Sequence, residues 1–380
     1  MTDRHGTAPP ARRLSLPGLW LVCGLLLPTA SLADSHDCRH VQVTDADSGR
    51  PLAGIEDLVY HPPSDTLILS VHDRWGDADE DPNALMGLFG LALESLVAGG
   101  PATARRIAGP ADRSMRPHGM SLAEREAGVW RLLVIDHRFY REEQRDGQPG
   151  TILQEYDVTG DGALAPLRQF GHAGLCPAND LDWDGGDRLI VTLDRANCGG
   201  FWRFLELARG QQRGRVVLVD LEAQTLTDLL TDLAFPNGIA LDPASEGQFF
   251  LTESRAARLS RFSLDLDAEP SKGMSSETLQ TVELPGAPDN LAFDADGMLL
   301  VALHPDVTDF GLYSMRVWGY ESSATRIVRL SGTAPEAEVE TILDDPDGAL
   351  VSGATSVIQA GDHYVAGAAF DEGLVVCDLQ

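Results

Sequence analysis

The chain has 380 residues, 43% of them apolar, with 58 acidic against 29 basic side chains and a formal charge of −29. So acidic a balance excludes the usual electrostatic case for nucleic acid or an anionic membrane, because no basic stripe exists to release counterions. The apolar content excludes a disordered chain. Only one of the 29 basic residues is lysine, Lys272; the rest are arginine.

The first 33 residues read as a secretory signal: Arg4, Arg12 and Arg13, an apolar stretch from Leu14 to Leu27, then the small-residue site Ser31-Leu32-Ala33. The apolar run is short for a membrane-spanning helix. Export implies an oxidising compartment, periplasmic or extracellular, in which the four remaining cysteines can pair. Residues 34–380 then form the mature chain, with no further stretch able to cross a bilayer and no stable membrane association expected.

One pattern recurs along it: a polar pair, a short apolar strand, a Gly/Asp-rich turn and a second apolar strand. It starts at Glu56-Asp57, His118-Gly119, Asn179-Asp180, Asn237-Gly238 and Asp289-Asn290, with a degenerate copy at Thr355-Ser356. The intervals are 62, 61, 58, 52 and 66 residues. Hairpins repeating at that period suit four-stranded blades. We expect an all-β fold: one six-bladed β-propeller over 34–380. The runs Arg215–Asp220 and Arg326–Leu330 supply outer strands, and 201–207 forms a short capping helix. Its aromatic side chains are either a lid or ordinary packing.

Ring closure pairs a strand after Cys38 with the last strand at Cys377, so these two cysteines are expected to form a disulfide. Cys176 and Cys198 flank the third hairpin, and a second disulfide or two free thiols both remain open. Zinc with His172 is disfavoured by the sulfur spacing.

Inner strands line the channel, so the first residues of the polar pairs should converge. Glu56, Asn179, Asn237 and Asp289, with the adjacent Asn290, are hard oxygen donors of the kind calcium takes. Asp57 and Asp180, one layer deeper, can hold a second ion with the Met120 carbonyl, or else bond backbone amides as strand-end aspartates do. His118 begins the second repeat's first strand and His137 ends its second. The pair can move a proton from water beside the cation. No G-x-S-x-G elbow, P-loop or dinucleotide fingerprint is present. The run 157–162 resembles an EF-hand opening but lacks the closing Glu, and reads as a turn.

Gly54-Ile55-Glu56-Asp57, Arg116-Pro117-His118-Gly119, Asn179-Asp180, Phe235-Pro236-Asn237-Gly238, Asp289-Asn290 and His304-Pro305, in this order, resemble the paraoxonase/arylesterase family. That likeness extends from Cys38 to Cys377. It implies a calcium-dependent hydrolase of small-molecule lactones and aryl esters with two calcium ions. It implies catalytic-calcium ligands at Glu56, Asn179, Asn237, Asp289 and Asn290, and a structural calcium at Asp57, Asp180 and Met120. It further implies a histidine dyad at His118 and His137, with Phe235 and His304 lining the pocket. Asp289 is an alternative base or nucleophile. Asp371 stands where the family often has histidine, and the acidic segment from Asp73 to Met86 does not look like its lid. Gluconolactonase and strictosidine-synthase-like propellers fit less well. A sugar lactonase of the gluconolactonase type, and a non-catalytic calcium-bound propeller that clamps a partner, are the alternatives.

Overall fold

A computed structural model describes residues 36–109, 115–139, 142–183, 186–264, 276–331 and 337–379; the expected signal segment lies outside them. The six repeats fold as six blades of a β-propeller. From the axis outward, blade 1 runs Ile55–His61, Thr66–His72, Met86–Ala92 and Ala102–Ala108, with Val43–Asp45 added in parallel at its edge. Blades 2 to 5 open on Pro117–Glu126, Ala178–Trp183, Pro236–Leu241 and Ala287–Phe293, each followed by three antiparallel strands. The expected outer strands are the third strands of blades 3 and 5, Gly214–Asp220 and Thr325–Leu330. Blade 6 takes Ala354–Ala360, His363–Ala368 and Leu374–Asp378 from the C-terminus and Cys38–Val41 from the other end of the chain. Cys38 pairs with Cys377 in register, and the two are disulfide-bonded. Cys176 and Cys198 form the second disulfide, settling a pairing the sequence left open.

Alternation along each strand puts apolar side chains between blades. Six buried clusters result among the described residues, one for each neighbouring pair of blades. Each blade therefore depends on its neighbours, which is why the ring has to close.

Hydroxyl groups lock the register from one blade to the next. Ser70 Oγ donates to the His118 carbonyl at 2.8 Å, Thr192 Oγ1 to that of Asn237 at 2.6 Å, Thr252 Oγ1 to that of Asp289 at 2.8 Å and Thr355 Oγ1 to that of Glu56 at 2.8 Å. Every accepting residue is the first of a polar pair. The glycines that complete two of these pairs have a steric reason. A Cβ on Gly119 would lie 2.5 Å from the Asn179 carbonyl oxygen, and one on Gly238 would lie 2.7 Å from the Leu291 amide. The next blade's inner strand comes too close for any side chain.

Four helices accompany the sheets in the described residues. The capping helix, Gly200–Arg209, is as expected, but Phe201 and Trp202 on it are exposed, 66% and 68%, and face each other edge-on. Arg74–Ala78 and Val307–Ser314 likewise follow second strands, in blades 1 and 5. Leu93–Val97 packs on the outer strands of blade 1.

Candidate functional site

In all six inner hairpins the ladder shifts register at the polar pair, between Ile55 and Asp57, Pro117 and Met120, Ala178 and Leu181, Pro236 and Ile239, Pro288 and Leu291, and Ala354 and Ser356. A bulge bends its strand and re-aims its side chains. Repeated six times at one height, it sets a ring of polar side chains at one end of the innermost strands. Glu56, Asn179, Asn237, Asp289 and Asn290 are all buried there.

Three of these residues carry the argument for a cation. Oδ1 of Asn179, of Asn237 and of Asn290 is buried and lacks a hydrogen-bond partner among the described residues. A buried acceptor left unpaired costs about 1–3 kcal/mol. Three from successive blades, beside the carboxylates of Glu56 and Asp289, make an oxygen-only donor set with two negative charges. This fits a divalent hard cation of the calcium type. Among the described residues no group of three or more His, Cys, Asp or Glu has metal-holding geometry. The donor set here is richer in amides than such a group, and its softness is wrong for zinc.

The deeper layer is different. Asp57 accepts hydrogen bonds from the amides of Leu58 at 2.8 Å and Met120 at 2.6 Å; Asp180 accepts from Leu181 at 2.8 Å and Ile239 at 2.9 Å. The Met120 amide thus meets Asp57, and each of the four carboxylate oxygens of this pair accepts one backbone amide. Burial, with the Glu56 charge adding to it, pushes Asp57 up to about 8. Burial and the Asp57 charge push Asp180 well above the usual range. Both carboxylates adjoin a cavity of about 220 Å³ that also touches Asp182 and Asn290.

His118 and His137 come together, with ring centroids 5.2 Å apart and planes tilted by 55°. His118 Nδ1 is in contact with Glu56 Oε2. His137 Nδ1 meets Thr151 Oγ1 at 2.8 Å. Burial, then the charges of His118, His72, Arg195 and Arg74, holds His137 well below the ordinary imidazole value, so it is neutral at pH 7. Burial raises Glu56, but His118 and Arg74 outweigh it and the net shift is downward. His304 Nε2 lies 2.8 Å from Asp289 Oδ2, and its ring stacks on Phe310 at 3.8 Å. Phe235 has φ +62°, a left-handed backbone that a bulky side chain rarely takes. Such strain persists where the surroundings over-determine it.

Arg74 was not among the expected site residues. Asp73 caps its short helix by accepting the Gly76 amide, and this brings the guanidinium inward. Arg74 Nη2 lies 3.1 Å from both Glu56 Oε2 and His118 Nδ1, and Nη1 donates to the Ala369 carbonyl at 2.9 Å. The acidic segment from Asp73 thus delivers a cation to the site. Its sequence neighbours His72 and Asp77 meet at 3.1 Å, with Arg116 on Asp77 at 2.7 Å.

A second ring also escaped the sequence reading. The amides of His72, His137, Asp194 and Ser254 donate to the carbonyls of Gly54, Arg116, Pro177 and Phe235, each two residues before its polar pair. His304 faces Ala287 in the same way. Three histidines, an aspartate and a serine therefore end the second strands at one level. The signal was visible at the ends of the repeats, in the runs VHD, IDH, TLD, TES and ALH.

Residues 194–329, from the rim of blade 3 to the third strand of blade 5, match the family model described as SMP-30/Gluconolactonase/LRE-like region. Two curated relatives are from Arabidopsis thaliana. Protein STRICTOSIDINE SYNTHASE-LIKE 13 is 35% identical over 133 residues, 33% of this chain and 30% of that protein. Protein STRICTOSIDINE SYNTHASE-LIKE 3 is 27% identical over 226 residues, 53% of this chain and 54% of that protein. The matched stretches thus span from under a third to about half of these relatives' length. A solved structure provisionally described as a gluconolactonase aligns with TM-score 0.51 and 16% identity, covering 91% of this chain and 95% of that one. A Dyadobacter fermentans protein of unknown function aligns with TM-score 0.50 and 12% identity, covering 90% and 98%. At such identities these two carry the fold alone. The class so defined is a six-bladed propeller with a stretch of the SMP-30/gluconolactonase kind. These relatives are of the two kinds that the sequence motifs fitted less well.

Proposed function

We propose that the protein is a calcium-dependent hydrolase of lactones and aryl esters, close in chemistry to the paraoxonase/arylesterase pattern of its motifs. The observation that carries this is the trio of unpartnered amide oxygens on Asn179, Asn237 and Asn290 beside Glu56 and Asp289. These five residues would hold the ion. A bound divalent cation supplies Lewis-acid polarisation of an ester carbonyl. His118 takes a proton from water as the water oxygen attacks the carbonyl carbon. His137, neutral because it is buried, relays that proton. The acyl C–O bond then breaks, and the departing oxygen receives the proton. Thr151 fixes the His137 ring, and Phe235 and His304 border the substrate. A second calcium at Asp57, Met120 and Asp180 would share its carboxylates with the amides already bonded there.

A sugar-lactone specificity is the second reading, favoured by the match of residues 194–329 to the SMP-30/gluconolactonase description. The two disulfides support an exported, oxidising location. No described helix is long and apolar enough to cross a membrane.

The test is turnover of aliphatic lactones, sugar lactones and phenyl acetate, with and without chelator. Chelator-sensitive turnover of aliphatic lactones and phenyl acetate supports the first reading, and sugar-lactone preference the second. Metal-dependent stability with no turnover leaves a non-catalytic binding module.

A further inference from the structure

The position after the second ring has its own pattern. In blades 2, 3 and 4 the residue that follows His137, Asp194 and Ser254 is Arg138, Arg195 and Arg255; in blade 1, Arg74 comes two after His72. The equivalents in blades 5 and 6 are Pro305 and Phe370. One repeat phase thus places arginine on three consecutive blades, and a fourth arginine stands one position further on in blade 1, in a chain whose formal charge is −29. Around Arg74, whose guanidinium carbon lies 5.7 Å from the Phe370 ring, the rim is aromatic: Phe370 lies 6.1 Å from Phe310 and 5.5 Å from Trp75, and Trp75 packs on Tyr313 at 5.2 Å.

The arginines are not equivalent. Arg74 is engaged with Glu56 and the Ala369 carbonyl. Arg138 donates to Gln169 Oε1 at 2.9 Å and sits 3.5 Å from Asp136. Arg195 and Arg255 flank the Phe235 ring, their guanidinium carbons 6.0 and 5.8 Å from its centroid. Arg195 pairs with Asp194 at 2.8 Å through Nη2, while its Nε is buried without a partner. Arg255 is exposed and extends to the end of the capping helix, with Nη1 3.6 Å from where a Cβ on Gly210 would be. Phe235, the ring both guanidiniums approach, lies two residues before Asn237 of the candidate cation site.

We propose that this mouth selects lactones or esters that carry a carboxylate, seated on Arg195 and Arg255, with their apolar portion toward Phe310 and Phe370. This rests on the hydrolase reading above. The net acidity of the chain repels anions at long range, so a local cationic arc discriminates in favour of those that reach it. A guanidinium binds a carboxylate through charge-assisted, often bidentate hydrogen bonds.

The test compares γ-butyrolactone with 5-oxotetrahydrofuran-2-carboxylate, which differ by the carboxylate alone. The wild type should favour the carboxylate by about tenfold or more in kcat/KM, as one charge-assisted hydrogen bond would give. Arg255→Gln, at an exposed position, and Arg195→Gln/Arg255→Gln should bring that ratio toward one. A wild-type ratio at or below one, with the neutral lactone hydrolysed, overturns the proposal; so does a ratio the double variant leaves unchanged. If neither lactone is hydrolysed, the wider panel of sugar lactones and phenyl acetate decides the hydrolase reading, and calorimetric titration with glutarate decides the anion seat separately. Binding that the double variant loses supports it. Absent or equal binding overturns it.

Discussion

Ser254 Oγ stands between Asn237 and Pro288: it accepts a hydrogen bond from Asn237 Nδ2 at 3.1 Å and donates to the Pro288 carbonyl at 2.6 Å. With its nitrogen held this way, the Asn237 carboxamide leaves Oδ1 as a buried acceptor without a hydrogen-bond partner among the described residues. Ser254 belongs to the second ring and orients a member of the first.

Ser254→Ala should therefore weaken the site without removing a ligand. The amide loses its orienting partner, and a single such hydrogen bond contributes about 1 kcal/mol. Calorimetric titration of chelator-stripped protein with calcium should show roughly five- to tenfold weaker binding. Unchanged calcium affinity, with the variant folded, would remove Ser254 from its positioning role.

Loss of general-base help should lower turnover by about 10²–10⁴. His118→Gln is expected to show that fall on any lactone the wild type hydrolyses, with calcium affinity retained within a few-fold. The contact of His118 with Glu56 makes the binding measurement essential, since a drop in both would assign His118 to the ion and not to the proton.

The sixfold repeat, ring closure and hub residues were legible because one repeat position maps to one height in the channel. Glu56, Asn179, Asn237 and Asp289 could be read without knowing a single distance. The bulge at each pair could not, because it is a property of register and not of composition. Arg74 was hidden for another reason. It lies on an irregular segment outside the repeat, and its inward turn depends on the Asp73 cap. The hydrogen bond from the Met120 amide to Asp57 is likewise a matter of peptide orientation, which no residue type specifies. The second ring was legible in principle, at the ends of the repeats, but only once second strands were aligned as carefully as first ones.

Gly119→Ala and Gly238→Ala test the closeness of the blades. Each adds a methyl within 3 Å of neighbouring backbone, which cannot yield as a flexible side chain would. Overpacking of this kind costs about 1–3 kcal/mol. Urea unfolding should register that loss in both variants, whereas alanine at Gly128, where a Cβ meets nothing within 4 Å but φ is +79°, reports backbone strain alone.

The disulfide that closes the ring spans a sequence separation of 339 residues. Loop-closure entropy puts its contribution at roughly 5–6 kcal/mol, an upper figure against the 2–4 kcal/mol typical of disulfides. Cys38→Ser/Cys377→Ser should lower the unfolding free energy read from urea titration by an amount in this range, with Cys176→Ser/Cys198→Ser falling short of it, because its separation is only 22 residues. Equal losses from the two double variants would count against the entropic account of ring closure.

The deep carboxylates give a pH signature that separates a proton from a metal. Asp57 is shifted from 3.8 up to about 8 in the fold, so between those values the folded chain retains a proton that the unfolded chain releases. Stability associated with Asp57 is then fully present below about pH 4 and lost as pH rises toward 8, by up to about 1.4 kcal/mol per unit. Asp57→Asn removes that slope. In chelator the wild type should lose stability relative to Asp57→Asn on going from pH 5 to pH 8, as read by urea unfolding. If a calcium ion sits on Asp57 and Asp180, excess calcium should abolish or reverse the difference, since the ion binds the ionised form. A difference that persists in calcium would leave these carboxylates to their backbone amides and a shared proton, and the protein with one calcium site.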